Sequence, residues 1–226
     1  MNFSLASRQN ARQPHYSKLL TAIVLRLLVI PFLGGSFGEV VASFLLFSIT
    51  VLIIESYRLK RSLFIVFAAI ATFGFFLDIV LILGWVPRTV PLILAVQVIY
   101  LLFLGSAALL ILQRILQTPR ITMDIVRGGI CVYLLLGYFW AILYGLINTF
   151  DANAFSHTLL TESSYLNTLY FSFITLTTLG FGDIVPVNDI ASVLVVLEAL
   201  VGQIYPTVFI GILVSGYLAH RHLHDK

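Results

Sequence analysis

Apolar residues in this chain gather into long blocks separated by short polar breaks. Six blocks approach the roughly 20 residues that a helix needs to cross a hydrocarbon core about 30 Å thick: residues 18–33, 37–55, 63–84, 90–113, 129–148 and 190–218. Breaks such as Gly34-Gly35-Ser36, residues 56–61 and Trp85-Val86-Pro87-Arg88 carry turn formers and suit antiparallel neighbours. A longer break, residues 114–128, holds Pro119 and then Ile121, Met123, Ile125 and Val126. It predicts an amphipathic segment along the membrane surface. A seventh apolar run, residues 165–178, gives only about 21 Å of helix, too little to span. Glycines follow it, so the pattern predicts a helix that enters the membrane and turns back. Such backbone is allowed at membrane depth only where protein buries it or it lines water.

The first block is the shortest and carries Arg26 near its middle. A cleaved signal peptide is the competing reading, but arginine is foreign to the apolar core of such signals, so the span is retained in the count.

Composition fixes the solvent. The chain is 60% hydrophobic and 10% charged, against roughly 45–50% and about 25% in soluble domains. That excludes an ordinary water-exposed globule. The net charge of +3 does not point to nucleic acid, because the basic residues form no long run and sit between apolar blocks. Of 13 Lys and Arg, 11 fall beside alternate breaks: Arg8, Arg12 and Lys18; Arg58, Lys60 and Arg61; Arg114, Arg120 and Arg127; Arg221 and Lys226. The other side carries Arg88 with Glu39, Asp151, Glu162, Asp183 and Asp189. Positive loops stay cytoplasmic, which predicts both termini inside and an even number of spans. Cys131, the single cysteine, lies in an apolar run and forms no intrachain disulfide.

The chemistry lies in Thr175-Leu176-Thr177-Thr178-Leu179-Gly180-Phe181-Gly182-Asp183, which follows the short seventh run. Alternating glycines let successive carbonyl oxygens turn towards one axis, since glycine alone enters the left-handed region cheaply. This stretch resembles the signature of potassium channels with a single pore loop, whose Thr-Val-Gly-Tyr-Gly filter follows a pore helix. Leu179 stands where valine is common and Phe181 where tyrosine is common; Gly-Phe-Gly filters occur in the two-pore-domain group. The resemblance covers residues 127–217. It implies that Thr178, Leu179, Gly180, Phe181 and Gly182 form a filter in which oxygens replace the hydration of K+, the permeant ion, with no other cofactor or metal. One loop supplies one wall, so a homotetramer is implied. The C-terminal end of the pore helix would turn its negative dipole end towards the waiting cation. Tyr170, Thr175 and Asp183 would support the filter, with Asp183 bonded to Tyr170. The resemblance also places a hinge glycine in the inner helix, at Gly202.

With 3.6 residues per turn, Ala199, Gln203, Pro206, Ile210, Leu213 and Tyr217 share a face of the last span, the candidate pore lining. Gly202 and Pro206 suit either a bend or close helix packing. Glu198, off that face, is expected to brace the filter, through Thr175, or to sit hydrogen-bonded to nearby backbone. Arg26 and Asp78 are expected to satisfy each other, or Arg26 to reach Glu55. His220, His222 and His224 read as polar cations ending a helix, or as a pH- or metal-sensing cluster.

Six spans with the pore last resemble the voltage-gated plan, but residues 90–113 hold no arginine, and voltage sensing needs several charges in the field. An intramembrane hydrolase is excluded, since Ser36 and Ser106 have no histidine in any predicted span. The expected fold is an all-α membrane protein with six transmembrane helices and a re-entrant pore helix and filter between the fifth and sixth. Its parts are a cytoplasmic segment (1–17), a four-helix peripheral domain (18–113), a cytoplasmic linker (114–128), a pore domain (129–218) and a cytoplasmic tail (219–226). The expected function is passive K+ conduction across the plasma membrane, without enzymatic activity or nucleic-acid binding. A weakly selective cation channel and a non-conducting modulatory subunit are the alternatives.

Overall fold

The computed structural model describes residues 16–33, 35–56, 61–118, 121–156 and 164–224. Its regular elements are helices: α1 (Tyr16–Val29), a 3-10 turn (Ile30–Phe32), α2 (Gly35–Ser56), α3 (Arg61–Ile82), α4 (Val90–Gln117), α5 (Met123–Phe150), α6 (Ser164–Leu176), α7 (Asp189–Ile204), a π-helical turn (Tyr205–Ile210) and α8 (Gly211–His224). Among the described residues, five stretches are long and apolar enough to cross a membrane: Gly35–Ile53, Ile65–Ile82, Val90–Gln117, Met123–Phe150 and Asp189–Leu218.

The first apolar block differs from this set. It forms the 14-residue α1 and the 3-10 turn, because Pro31 has no N–H to continue the helical ladder. Tyr16, Leu19, Ile23 and Arg26 recur at helical spacing on its buried face, which rests against α5 and α2.

The expected surface linker contracts to residues 118–122. Arg114 closes the last turn of α4, and α5 begins at Met123 under an N-cap from Thr122, whose hydroxyl accepts the Ile125 N–H at 3.4 Å. Asp124 in that first turn complements the positive end of the helix dipole. Ile125 and Val126 therefore face the protein core rather than a membrane surface.

Helix α5 is the hub of the fold. Four of its glycines each receive a side chain from a different helix: Tyr16 of α1 at Gly128, Leu213 of α8 at Gly129, Phe173 of α6 at Gly137 and Gln97 of α4 at Gly145. Small residues at helix crossings let backbones approach closely, the main source of packing energy where lipid removes the hydrophobic drive. Added Cβ atoms at Gly128, Gly129 and Gly137 would lie 2.9, 2.7 and 2.7 Å from those side chains. Helix α4 lies along α5, and α3 and α2 follow outward from it.

Among the described residues, Asp78 and Arg26 each have hydrogen-bond partners other than one another. Asp78 accepts from Ser43 Oγ at 2.6 Å and Tyr100 Oη at 3.5 Å. Arg26 donates from Nε to the Ala42 carbonyl at 3.2 Å, and its guanidinium lies 4.5 Å from the centre of the Tyr138 ring. A delocalised cation over an aromatic face is favourable in a desolvated site, and it joins α1 to α5 rather than to α3. The side chains of Glu55 and of residues 220–226 lie outside the described residues.

Candidate functional site: the loop after α6

Helix α6 ends in a Schellman motif with threonine where glycine is usual. Thr178 donates its N–H to the Thr175 carbonyl at 2.9 Å and Leu179 donates to Ile174 at 2.8 Å, the paired bonds of that motif. The residue between these donors and the helix must turn left-handed, and Thr178 has φ of +59°. Gly180 adds its N–H to the Ile174 carbonyl at 3.1 Å. Tyr133 of α5 donates to the Leu176 carbonyl at 3.1 Å, and the Thr178 hydroxyl to the Thr177 carbonyl at 2.7 Å. The terminal carbonyls of α6, from Ile174 to Thr177, thus all have donors. The helix end itself does not leave these carbonyls open.

The open acceptors lie one step further on. Positive φ recurs at Gly180 (+51°) and Gly182 (+77°) after Thr178, so left-handed residues alternate along the loop. The carbonyls of Thr178, Leu179, Gly180 and Phe181 accept no hydrogen bond among the described residues. All four residues are exposed on the single chain, Leu179 at 58% and Phe181 at 66%. Three amides bonded back to α6 and four carbonyls without a donor make a strip of candidate backbone acceptors.

The far end of the loop is pinned separately. Tyr170 Oη donates to Asp183 Oδ2 at 2.8 Å, the pair expected from sequence. Beyond it, Val187 donates to the Ala154 carbonyl at 2.8 Å and Ser156 to the Val185 carbonyl at 2.9 Å, around the bridge of Phe155 and Pro186. Asn188 then caps α7: its Oδ1 accepts the Ala191 N–H at 2.8 Å, while its Nδ2 donates to Asp151 at the end of α5, also at 2.8 Å. The loop is held at both ends by elements that differ in sequence position by up to 43 residues.

Residues 129–217 match a family model described as an ion channel. No curated protein and no solved structure matches the chain. The matched segment runs from the second turn of α5 through α6, the loop, α7 and the first half of α8, so the acceptor strip lies inside the stretch that is similar to an ion channel. With the long apolar helices before it, the chain is an all-α, multi-pass membrane protein.

Within the channel domain the side chains behind the strip differ in part from the sequence reading. Glu198 of α7, 0% exposed, accepts Tyr144 Oη on one carboxyl oxygen and Ser172 Oγ on the other, each at 2.5 Å. It therefore meets α6 as expected, but one turn before Thr175. The Thr175 hydroxyl bonds back to the Phe171 carbonyl of its own helix at 2.8 Å. Ser172 and Tyr144 were not legible as partners, because choosing between Ser172 and Thr175, three residues apart, requires the rotation of α6 about its axis.

Gly202 is buried, and a Cβ there would collide with the Leu176 carbonyl. Its role is close packing of α7 on the end of α6. The bend lies beyond it, in the π turn that contains Pro206. Proline cannot donate to the helical ladder and its ring crowds the preceding turn, which a widened turn accommodates. That turn also changes the lining. It rotates everything downstream out of a 3.6-residue phase, so Ile210 and Leu213 turn inward onto Gly129 of α5 and Tyr217 packs on the same core. Gln203 and Pro206 stay exposed, and Gln203 Nε2 donates to Thr178 Oγ1 at 2.9 Å.

Tyr170→Phe is expected to loosen the far end of the loop while leaving the fold intact. Hydrogen exchange of the Asp183 to Val185 amides should quicken, with the thermal midpoint of the whole chain unmoved. Unchanged exchange there would remove Tyr170 as a pin for the loop.

Proposed function

We propose that four copies of this chain assemble around an axis to form a potassium-selective channel, in which the carbonyls of Thr178, Leu179, Gly180 and Phe181, with the Thr178 hydroxyl, replace the water around K+. One observation carries the reading: a row of four open carbonyls on a left-handed, alternating backbone inside an ion-channel domain. Exposed backbone acceptors at membrane depth need a partner, and in a filter the ion is that partner. One chain offers a single strip, so several are needed to surround a cation. The exposed apolar residues beside it, among them Ile190, Val193, Leu197 and Leu200, suit contact between neighbouring copies.

In this reading α5, α6 and α7 with α8 are the outer helix, pore helix and inner helix of a pore domain spanning residues 129–218. Residues 18–113 form a peripheral domain, α1 completes a sixth span with the 3-10 turn, and both termini face the cytoplasm of a plasma membrane. Tyr170, Asp183, Glu198 and Thr175 support the filter; Gln203 and Pro206 line the cavity below it. The work is conduction, with no bond made or broken. Opening is not steeply voltage-dependent, since α4 carries its arginine only in its last turn and each charge moved through the field supplies about 2.3 kcal/mol per 100 mV.

The test is ion flux through purified protein in liposomes under opposed K+ and Na+ gradients. The expected reversal potential lies near the K+ equilibrium value. Reversal midway between the two ions would replace this reading by a weakly selective cation channel, and no flux at all by a modulatory subunit.

A further inference from the structure

We infer that Gln203 is a positioning residue for the innermost ion site: it fixes the Thr178 hydroxyl so that an oxygen lone pair, not a proton, faces the ion, and so makes that site answer to the inner helix. The inference rests on the channel reading above and adds to it a control on one ring of ligands.

Thr178 is the non-glycine residue with positive φ among the described residues. A β-branched residue rarely adopts that conformation, and where one does the surroundings hold it there. Three bonds do so. Its N–H goes to the Thr175 carbonyl at 2.9 Å, its hydroxyl donates to the Thr177 carbonyl at 2.7 Å, and that hydroxyl accepts from Gln203 Nε2 at 2.9 Å. The first two come from the end of α6 itself. The third comes from α7, 25 residues further along the chain.

A hydroxyl has one proton and two lone pairs. At Thr178 the proton is committed to the Thr177 carbonyl and one lone pair to the Gln203 amide, which leaves the other lone pair for a cation. Because that proton is spent, the amide must present its nitrogen, as it does. Without Gln203 the hydroxyl keeps only its bond to the Thr177 carbonyl, so one hydrogen bond instead of two holds it against turning its lone pair away from the ion.

Gln203 is itself held in place from above and released below. Gly202, its neighbour, sits flush on the Leu176 carbonyl, and Glu198 is bonded to Ser172 and Tyr144. Two residues beyond Gln203, the π turn begins at Tyr205, whose hydroxyl donates to the Gly129 carbonyl of α5 at 2.9 Å. Residues 198 to 203 are therefore tied to α6, and the π turn separates them from α8. Gln203 lies two residues before that turn, and its side chain reaches Thr178.

The test is a double-mutant cycle on the full chain in liposomes, using Gln203→Leu, Thr178→Ala and the pair, with Gln203→Asn as a shorter amide. Two readings are taken: block by Ba2+ added on the side of the termini, and the K+/Na+ reversal potential. Each single variant is expected to weaken Ba2+ block about tenfold or more, the loss of a hydrogen bond of ordinary strength, and to lower K+/Na+ discrimination. The double variant should be no worse than Thr178→Ala alone, because Gln203 acts through that hydroxyl. Gln203→Asn, one methylene too short, should behave like Gln203→Leu. If Gln203→Leu and Gln203→Asn keep wild-type block and reversal potential, or if the effects simply add, the inference falls while the channel reading stands. If the wild-type chain passes no K+, both fall.

Discussion

Gly180→Ala is expected to reduce K+ flux at least about a thousandfold in the liposome assay, with the assembled protein still recovered from detergent. Gly180 has φ of +51°, and an L-residue with a Cβ gives up about 1–2 kcal/mol to stay there. Four copies in one pore multiply that to about 4–8 kcal/mol against the conducting arrangement, three or more factors of ten at about 1.4 kcal/mol each. Thr178 tolerates the same sign of φ because its side chain makes two hydrogen bonds there; an alanine methyl at 180 makes none. No atom lies within 4 Å of the added Cβ in a single chain, so the loss would come from backbone conformation rather than collision or misfolding. Flux within tenfold of wild type would mean that the loop does not conduct in this conformation.

The left-handed turns of the loop were legible because their information is local. Thr178, Gly180 and Gly182 sit in consecutive alternate positions, and the backbone angles they adopt are a property of those residue types. The pairing of Tyr170 with Asp183 was legible for a related reason, since 13 residues of helix and loop connect them. What the sequence left open was rotation and phase. Glu198 could be assigned to the back of α6 but not to Ser172 over Thr175. On the face drawn at 3.6 residues per turn Gln203 and Pro206 are exposed, whereas Ile210 packs on Gly129 of α5, because a π turn shifts phase by part of a turn and no single residue type announces it. Pro206 was the one visible sign, and proline is equally compatible with a kink of ordinary geometry. The first block was ambiguous for an energetic reason: Arg26 reads as a cost to burial until the Tyr138 ring, 112 residues away in the sequence, is seen beneath it.

These limits bear on how the pore is coupled to the rest of the chain. Tyr133 from α5 serves the same Leu176 carbonyl against which Gly202 of α7 is packed. The rings of Tyr133 and Tyr205 stack 5.9 Å apart, so the capping residue of α6 and the first residue of the π turn share a surface. Helices α5, α6 and α7 thus meet around one carbonyl just before the loop. A side chain added at that point must displace backbone rather than a flexible neighbour, which makes the junction stiff where the proposed filter would need support.

Glu198→Leu is the second change expected to have a large effect, and it acts on stability as well as on conduction. Wild-type Glu198 receives hydroxyl protons from Tyr144 of α5 and Ser172 of α6 at 2.5 Å each, the short end of the range for hydroxyls donating to a carboxyl oxygen. Ser172 also lies 2.8 Å from the Gly137 carbonyl, but that carbonyl is served by its own helix, so the hydroxyl proton is best used on Glu198. Leucine fills similar volume and accepts nothing. Tyr144 would then lose its acceptor, at about 1–3 kcal/mol per chain, while Ser172 keeps the Gly137 carbonyl at 2.8 Å. The thermal midpoint of the detergent-solubilised protein should fall by about 2–12 °C, and the surviving channels should discriminate less between K+ and Na+, because the proposed filter follows the C-terminal end of α6. Glu198→Gln should lie between wild type and leucine: its carbonyl oxygen accepts from one hydroxyl, and its amide donates to the oxygen of the other once that hydroxyl rotates. A leucine variant with wild-type midpoint and wild-type selectivity would show that the buried carboxyl neither holds α7 to α6 nor braces the loop, whereas a lowered midpoint with unchanged selectivity would confine Glu198 to helix packing alone.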